Sequence, residues 1–244
     1  MYRENEELKK RIIDYDIRLT FSFDLGFGIE GPIGSPFKID ASYISPYVKR
    51  ALSIGKLCKR YNVNIIMTDS FVEKLSEETQ TYLRMIDILK EEENTKEVGL
   101  FTLDLDCSLI AKECDISITE MISKSEKDNN QSLVKLSKFN KRKRRIKNMK
   151  LYKEEPVKNK VWKDFIADDE DFAFMRNSLN KNFFALYNEA FDEFQFGDWN
   201  KAKELFEQIL DTNDDDGPSQ YLYDILEQNN FERPLNWEGN KLIN

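Results

Sequence analysis

The chain has 244 residues, of which 40% are hydrophobic, and its formal net charge is −8. This length permits one sizeable domain or two small ones with a packed core. No apolar run approaches the ~20 residues that a bilayer-crossing helix needs. The complete absence of histidine excludes catalytic and metal sites that depend on imidazole.

The cysteine content indicates the redox environment in which the protein works. Cys58, Cys107 and Cys114 form no even framework for disulfides, which favours a reducing, intracellular setting. The sequence opens with no charged-then-apolar signal peptide. We therefore predict a cytoplasmic protein without a membrane span.

Charge is distributed unevenly along the chain. Residues 135–160 contain twelve Lys and Arg against two Glu, whereas residues 161–244 contain seven basic against nineteen acidic residues. Such a shift is typical of a boundary between segments. We predict an α+β domain over 1–118, a polar and basic linker over 119–160, and a helical extension over 161–244. The linker contains a basic patch that would contact polyanions weakly, formed by Lys141, Arg142, Lys143, Arg144 and Arg145.

The first predicted strand spans residues 18–27 (RLTFSFDLGF), where aromatic residues partly alternate with polar ones. The glycine-rich stretch that follows permits sharp bends of the backbone. A second strand over 37–43 would then complete a hairpin.

A helix is predicted next, because Ser45 and Pro46 suit its N-cap and first turn. It would end near Tyr61. Lys49 and Ser53, four residues apart, share one face. A different face carries the predicted buried stripe, which consists of Val48, Ala51, Leu52, Gly55 and Cys58.

Three further strands are predicted over 63–68, 82–89 and 98–105, with a short helix from Asp69 to Leu75 after the first of them. The order β–β–α–β–α–β–β is an α+β pattern that needs further strands to complete its sheet. Asp104 and Asp106 lie at the end of the last strand without a catalytic or metal partner nearby, so we expect them to be solvated.

The predicted extension begins with a helix whose aromatic face consists of Phe184, Tyr187, Phe191 and Phe194. Asp198 would cap a second helix with the stripe Ala202, Leu205, Phe206 and Ile209, and Asp216 would open a third. The first two resemble one tetratricopeptide-like hairpin. The acidic run 211–216 partly matches a calcium loop, but it lacks the required Gly and Glu, so a helix cap is favoured.

One stretch of the sequence resembles a known family. Residues 26–63 read GFGIEGPIGSPFKIDASYISPYVKRALSIGKLCKRYNV, which is similar to the class III adenylate/guanylate cyclase catalytic domain of protists. That family shows a G-W-A-I-E-G-x-I-G-S hairpin, then F-K-I-D-A-S-Y-L-S-P, then a helix that begins V-N-x-A-S-R. The resemblance covers roughly residues 10–106 and 180–240, the second region resembling the helical extension that often follows such domains.

The resemblance implies a partial ferredoxin-like fold and an ancestral phosphoryl-transfer reaction. In the family, two Mg²⁺ or Mn²⁺ ions held by aspartates activate the ribose oxygen and stabilise the triphosphate. An Asn and an Arg on the helix orient the ribose and neutralise developing charge. The active sites lie at a dimer interface, to which each partner gives different residues.

The sequence departs from the family at the catalytic positions. The Asn position is Lys49 and the Arg position is Ser53, which cannot donate a bidentate cation to phosphate. Ser42 occupies the base-selecting position, so the choice of ATP or GTP is open. No segment upstream of Arg18 matches the metal-binding strands, so we expect the chain by itself to bind no metal pair and to carry no cofactor.

The glycine-rich hairpin also satisfies G-x-G-x-x-G by letter, but it enters a turn with proline and not a helix, which disfavours a dinucleotide site. We interpret it as a structural hairpin at a protein interface, with the interface positions Gly31, Pro32, Ile33, Gly34 and Phe37.

The sequence therefore favours a cyclase-derived pseudoenzyme that acts as a binding, scaffold or regulatory subunit in cyclic nucleotide signalling, with another cyclase-like domain as its partner. One alternative is a complementing subunit, in which a partner supplies the metal-binding residues and the pair makes cyclic nucleotide. Another is a gene fragment whose missing half lies upstream. Because the family is common in ciliated and flagellated protists, the resemblance also suggests a cilium or flagellum as the location.

Overall fold

The computed structural model describes residues 10–11, 19–90, 96–106, 169–176, 179 and 181–242. Two compact units divide the chain. The first combines Met1–Asp104 with Lys181–Asn244, and the second is Leu105–Asn180. The predicted linker over 119–160 lies outside the described residues, and the predicted domain limits at 118 and 160 stay a prediction.

A mixed five-stranded sheet forms the centre of the first unit. Its strands are β1 (Phe21–Phe23), β4 (Ile65–Thr68), β5 (Leu83–Lys90), β6 (Val98–Leu103) and β7 (Lys241–Leu242), in the spatial order β1-β4-β6-β5-β7. The pairs β1–β4 and β5–β7 are parallel, and the pairs β4–β6 and β5–β6 are antiparallel. A sheet of this kind together with several helices is compatible with the predicted α+β class.

A separate two-stranded sheet precedes the first long helix. It pairs β2 (Ile29–Ser35) with β3 (Lys38–Ile44) in antiparallel register. The glycine-rich stretch, predicted as a break between strands, is thus itself a strand. The predicted hairpin partner at 18–27 is instead the short β1, which joins the central sheet at β4.

Helix α1 (Pro46–Arg60) is capped as predicted, since the Ser45 hydroxyl accepts a hydrogen bond from the Tyr47 N–H at 3.2 Å. The predicted buried stripe is wrong at two positions, because Val48 and Leu52 are exposed by 50% and 68%. The side chains that α1 buries in the core are Ile54, Leu57 and Cys58. They pack against residues of the sheet, including Ile66, Ile86, Val98 and Leu100.

Two short helices connect β4 to β5: α2 (Asp69–Val72) and α3 (Glu77–Gln80). In β5 the ladder with β6 slips by one residue between Met85 and Asp87, which is a β-bulge. The bulge matters because it puts Ile86 and Asp87 both in the buried interior.

Three longer helices complete the first unit: α5 (Lys181–Phe196), α6 (Trp199–Thr212) and α7 (Gly217–Gln228). Asp198 and Asp216 cap α6 and α7 as predicted, and all four residues of the predicted α6 stripe are buried. The first turn of α7 lies so close to the end of α1 that a Cβ on Gly217 would stand 2.1 Å from the Tyr61 carbonyl oxygen. Only glycine fits this approach.

The described part of the second unit contains helix α4 (Glu170–Met175). The Asp169 carboxylate caps it by accepting hydrogen bonds from the N–H groups of Asp171 and Phe172, at 2.8 and 2.9 Å. Within the described residues, no helix has the length and apolarity needed to cross a membrane.

Candidate functional site

The two positions that the resemblance relates to catalysis lie near the start of α1. Lys49 is exposed and Ser53 is half-buried. Four residues separate them, so they share one side of the helix, as predicted. These two positions offer an ammonium group and a hydroxyl, and neither is a planar guanidinium that could bind a phosphate with two parallel hydrogen bonds.

Arg50 follows Lys49 directly, but it is already bound within the fold. Its Nε and Nη2 donate to the two carboxylate oxygens of Asp24, at 2.7 and 2.8 Å. The guanidinium carbon also lies 5.0 Å from the centroid of the Tyr47 ring. This bidentate pair fixes α1 to the segment after β1 and occupies the fork of Arg50.

The Asp24 carboxylate is the centre of a small polar network. Its Oδ1 accepts hydrogen bonds from the hydroxyls of Thr68 and Ser70, at 2.8 and 3.2 Å. Burial alone would raise the pKa of Asp24, but hydrogen bonds from Arg50 and Thr68 outweigh it, and the pKa is lowered. Asp24 therefore remains an anion that is committed to internal partners.

The predicted interface positions lie in the hairpin of β2 and β3 and in its turn. Gly31 lies opposite Ser42 in the ladder and Pro32 lies opposite Ala41, while Phe37 in the turn is 97% exposed. A Cβ on Gly31 would meet no atom within 4 Å. The structure thus brings the predicted base-selecting position, Ser42, directly beside the predicted interface strand.

Exposed apolar side chains concentrate around this hairpin. Of the sixteen large apolar residues that are exposed in the described part of the chain, thirteen lie between residues 19 and 52, each 39–97% exposed. We call them the apolar surface: Leu19, Phe21, Phe23, Leu25, Phe27, Ile29, Ile33, Phe37, Ile39, Tyr43, Ile44, Val48 and Leu52.

The hairpin contributes to the apolar surface from both of its faces. Residues directly opposite in an antiparallel ladder share a face, so Ile29 and Ile44 lie on one face, and Tyr43 lies on the other. An isolated two-stranded hairpin is marginally stable in water. A hairpin exposed on both faces therefore gains stability when another surface covers it.

One predicted feature, the basic patch Lys141–Arg145, lies outside the residues that the structure describes. Within the described residues, no group of three or more His, Cys, Asp or Glu side chains could hold a metal ion.

Sequence reasoning missed a buried charge cluster around Arg84 on β5. The Arg84 guanidinium binds Asp104 through Nε and Nη2, at 2.9 and 2.7 Å, and Asp216 through Nη1 and Nη2, at 3.0 and 2.7 Å. The guanidinium carbon also lies 4.3 Å from the centroid of the Tyr187 ring. The prediction of a solvated Asp104 is wrong, because its side chain is only 9% exposed.

This cluster joins the sheet to the helices. Asp216 caps α7 while it binds Arg84, and its carboxylate also accepts a hydrogen bond from the Ser219 N–H at 3.1 Å. Burial opposes ionisation of Asp216, but the charge and hydrogen bonds of Arg84 outweigh burial, so the pKa of Asp216 is lowered. The available signal was the presence of two charged residues, Arg84 and Asp87, among the apolar residues of the strand LRMIDILK.

A second buried cluster surrounds Asp87. Its carboxylate accepts a hydrogen bond from the Tyr61 hydroxyl and forms an ion pair with Lys241 Nζ at 2.6 Å. The Tyr61 ring packs edge-on against Tyr221 of α7, with centroids 4.7 Å apart. Burial, reinforced by Asp87, raises the pKa of Tyr61 well above its usual value.

No family model matches the sequence, no curated protein matches it, and no solved structure matches the fold. The resemblance to class III cyclases therefore stays a prediction from the sequence motifs.

Proposed function

We propose that this protein is a cyclase-derived pseudoenzyme that acts as a binding or scaffold subunit in cyclic nucleotide signalling. In this proposal, the first unit is a partial ferredoxin-like cyclase domain with a tetratricopeptide-like helical extension. The resemblance further supports a cytoplasmic location, including a cilium or flagellum.

The observation that carries the proposal is the chemistry of the outer side of α1. Lys49 and Ser53 stand where the family needs an Asn and an Arg, and the neighbouring Arg50 is bound to Asp24. Loss of one group that stabilises the transition state typically costs ~10²–10³-fold in rate. With both positions changed, α1 is better suited to contact a protein than to stabilise a reacting phosphate.

The concentration of exposed apolar side chains supports a protein partner. Thirteen large apolar side chains between residues 19 and 52 are each 39–97% exposed. Scattered single apolar residues are normal on a protein surface, whereas concentrations of them mark sites of protein interaction. We propose that another cyclase-like domain covers this surface.

The exposed ammonium of Lys49 supports a second candidate function. The ammonium of Lys49 is exposed on α1, next in sequence to Val48 of the apolar surface. In a heterodimer this charge would lie at the shared interface, where a partner with its own metal-binding aspartates could use it. The chain would then be a complementing subunit that helps to convert a nucleoside triphosphate into cyclic nucleotide.

The activity test uses the purified full chain with ATP or GTP and Mn²⁺. We expect no cyclic nucleotide by mass spectrometry. A class III cyclase domain with intact aspartates, Asn and Arg is the positive control. Turnover by the chain alone, above that of a heat-denatured sample, would contradict the proposal.

The binding test mixes the full chain with that same cyclase domain and measures complex formation by sedimentation velocity. We expect a complex that Leu52→Asp on α1 abolishes. The matched control is Leu235→Asp, because Leu235 is fully exposed but lies outside the apolar surface. Cyclic nucleotide production that rises on mixing and is lost in Lys49→Ala would favour the complementing subunit, and the absence of any complex would contradict both candidates.

A further inference from the structure

The segment after α7 crosses the first unit as a strap, which we define as Arg233–Leu242. It ends as β7, whose two residues pair in parallel with Leu89 and Lys90 at the edge of β5. Two residues of strand give few ladder hydrogen bonds. The attachment of the strap therefore depends on its side chains.

Trp237 anchors the middle of the strap. Its ring packs edge-on against Phe194 of α5 and Trp199 of α6, with centroids 5.2 Å away in each case. Its Nε1–H donates to the Gln195 carbonyl oxygen at 3.1 Å. Gln195 in turn donates from its side-chain amide to the Gly239 carbonyl oxygen at 3.3 Å.

Lys241 is the buried part of the attachment. Its Nζ pairs with Asp87 at 2.6 Å and lies 4.7 Å from the centroid of the Tyr221 ring. Asp87 is 1% exposed and stands beside the apolar core residue Ile86. Removal of the ammonium would leave this carboxylate with a buried charge and no counter-ion, which is costly.

The remaining polar contacts of the strap are at the surface. Glu238 pairs with Lys90 at 2.8 Å, and the Asn240 side chain donates to Glu97 at 2.8 Å. The Arg233 guanidinium donates from Nη1 to the Phe196 carbonyl oxygen at 2.9 Å. Exposed pairs of this kind stabilise little. The strap thus has two strong points, Trp237 and Lys241, and Leu235 between α7 and Trp237 is fully exposed.

The connection between α7 and the strap is a helix-terminating turn. Asn230 has a φ angle of 52°, which is common for an asparagine just after a helix, and Phe231 has a φ angle of 60°, which is costly for a bulky residue. The Phe231 N–H donates to the Leu226 carbonyl oxygen at 2.8 Å. Because this bond is made to α7 and not to the strap, the turn can keep its shape when the strap detaches.

From these contacts we infer that the strap is a latch held closed by the Lys241–Asp87 pair. It opens and closes on the β5 edge as one unit, while the other four strands of the sheet stay folded. The physical reason is the unequal distribution of burial. In the strap, Trp237 is half-buried and Leu235 is exposed, whereas Ile86 and Leu89 of the neighbouring β5 lie in the core. Segments with few buried apolar side chains open locally below the global free energy of unfolding. Opening would uncover the β5 edge and the Asp87 carboxylate, which together suit an extended segment with a basic side chain.

Hydrogen exchange of the full chain at neutral pH tests the latch. In the wild type we expect amides of β7 and of Trp237–Gly239 to exchange much faster than those of β4 and the centre of α1. In Lys241→Met the strap amides should exchange at least about tenfold faster, because the unpaired Asp87 favours the open state. The β4 and α1 amides should keep their rates. The matched control is Lys201→Met, which removes an exposed ammonium paired with Glu189 and Glu193 and should leave the strap unchanged.

Two further variants guard against a folding defect. Trp237→Ala removes the other anchor without leaving a buried charge, and it should also accelerate exchange of the strap alone. Lys241→Arg keeps the countercharge and should exchange more slowly than Lys241→Met. The inference is overturned if strap and core amides of the wild type exchange through one common opening, or if Lys241→Met and Trp237→Ala both leave strap exchange at the wild-type rate.

Discussion

The Arg84 guanidinium is shared by two carboxylates from different parts of the chain, Asp104 after β6 and Asp216 at the start of α7. All three side chains are nearly inaccessible. In such a site the attraction between the charges largely offsets their lost hydration. Removal of the single cation would leave two buried anions unpaired.

Replacement of Arg84 should therefore be strongly destabilising. We expect Arg84→Met to lower the free energy of unfolding by about 3–5 kcal/mol, the usual cost of breaking a buried pair from one side. Urea denaturation followed by circular dichroism measures this change. Arg60→Met is the matched control, since Arg60 is an exposed arginine. An equal loss of unfolding free energy in both variants would show that the buried cluster contributes no more to stability than an exposed arginine.

The lowered pKa of Asp216 predicts how stability depends on pH. Its ordinary value is 3.8, and the folded value lies below it, so the unfolded chain binds more protons between the two values. The contribution of Asp216 is therefore complete well above pH 4 and is lost as the pH falls through the folded pKa. Urea midpoints between pH 6 and pH 3 should fall, and they should fall less steeply in Arg84→Met. An equal slope in both proteins would contradict this origin of the acid sensitivity.

At the scale of elements, the hairpin and α1 show that periodicity alone does not decide which face is buried. The spacing of Val48, Leu52 and Cys58 predicts one stripe, but only Cys58 is buried. The sheet contacts the later part of α1 through Ile54, Leu57 and Cys58. Val48 and Leu52, in the first turns of α1, instead belong to the apolar surface. They have the spacing of a buried helix face, but no other part of the described structure covers them.

Two glycines of the hairpin should respond differently to the same substitution. A Cβ on Gly34 would lie 2.1 Å from the Lys38 carbonyl oxygen, whereas one on Gly31 would meet nothing within 4 Å. We expect Gly34→Ala to distort the turn and to accelerate hydrogen exchange of β3 amides at least about tenfold, since crowding of this kind costs about 1–3 kcal/mol. Gly31→Ala should leave that exchange within about twofold of the wild type. The reverse order would contradict the described register.

At the scale of the whole molecule, the first compact unit is built from two distant stretches of sequence. Three contacts connect the stretch after residue 181 to the stretch before residue 104: Gly217 with Tyr61, Asp216 with Arg84, and Lys241 with Asp87. Unfolding of either stretch would expose charges and apolar surface of the other. The two stretches should therefore behave as one cooperative unit.

Hydrogen exchange in increasing urea tests this cooperativity. We expect the most protected amides of β4 and α6 to lose protection at one common urea concentration, with equal dependence on urea. The strap is the exception, because it should open earlier. Separate transitions for β4 and α6 would mean that the helical stretch folds independently of the sheet, as a division at residues 118 and 160 would suggest.

Local signals in the sequence were enough to predict several elements of this protein. The caps at Ser45, Asp198 and Asp216, the buried stripe of α6, and the strands around 65–68, 83–90 and 98–103 follow from spacing and from residues that satisfy helix termini. These features depend on neighbours within a few positions, which a single sequence displays directly. The resemblance to the cyclase family likewise rests on motifs in sequence, and it stays a prediction.

The tertiary structure alone decided which polar residues are buried together. Three groups are buried together in this way: Asp24 with Arg50, Arg84 with Asp104 and Asp216, and Asp87 with Tyr61 and Lys241. The partners are 20 to 154 positions apart in the sequence. Their pairing arises because the sheet and the helices bury the same interior, where a charge without a partner is too costly to remain. The apolar surface has the converse origin, since its residues carry a core-like pattern and only the fold determines that they stay exposed.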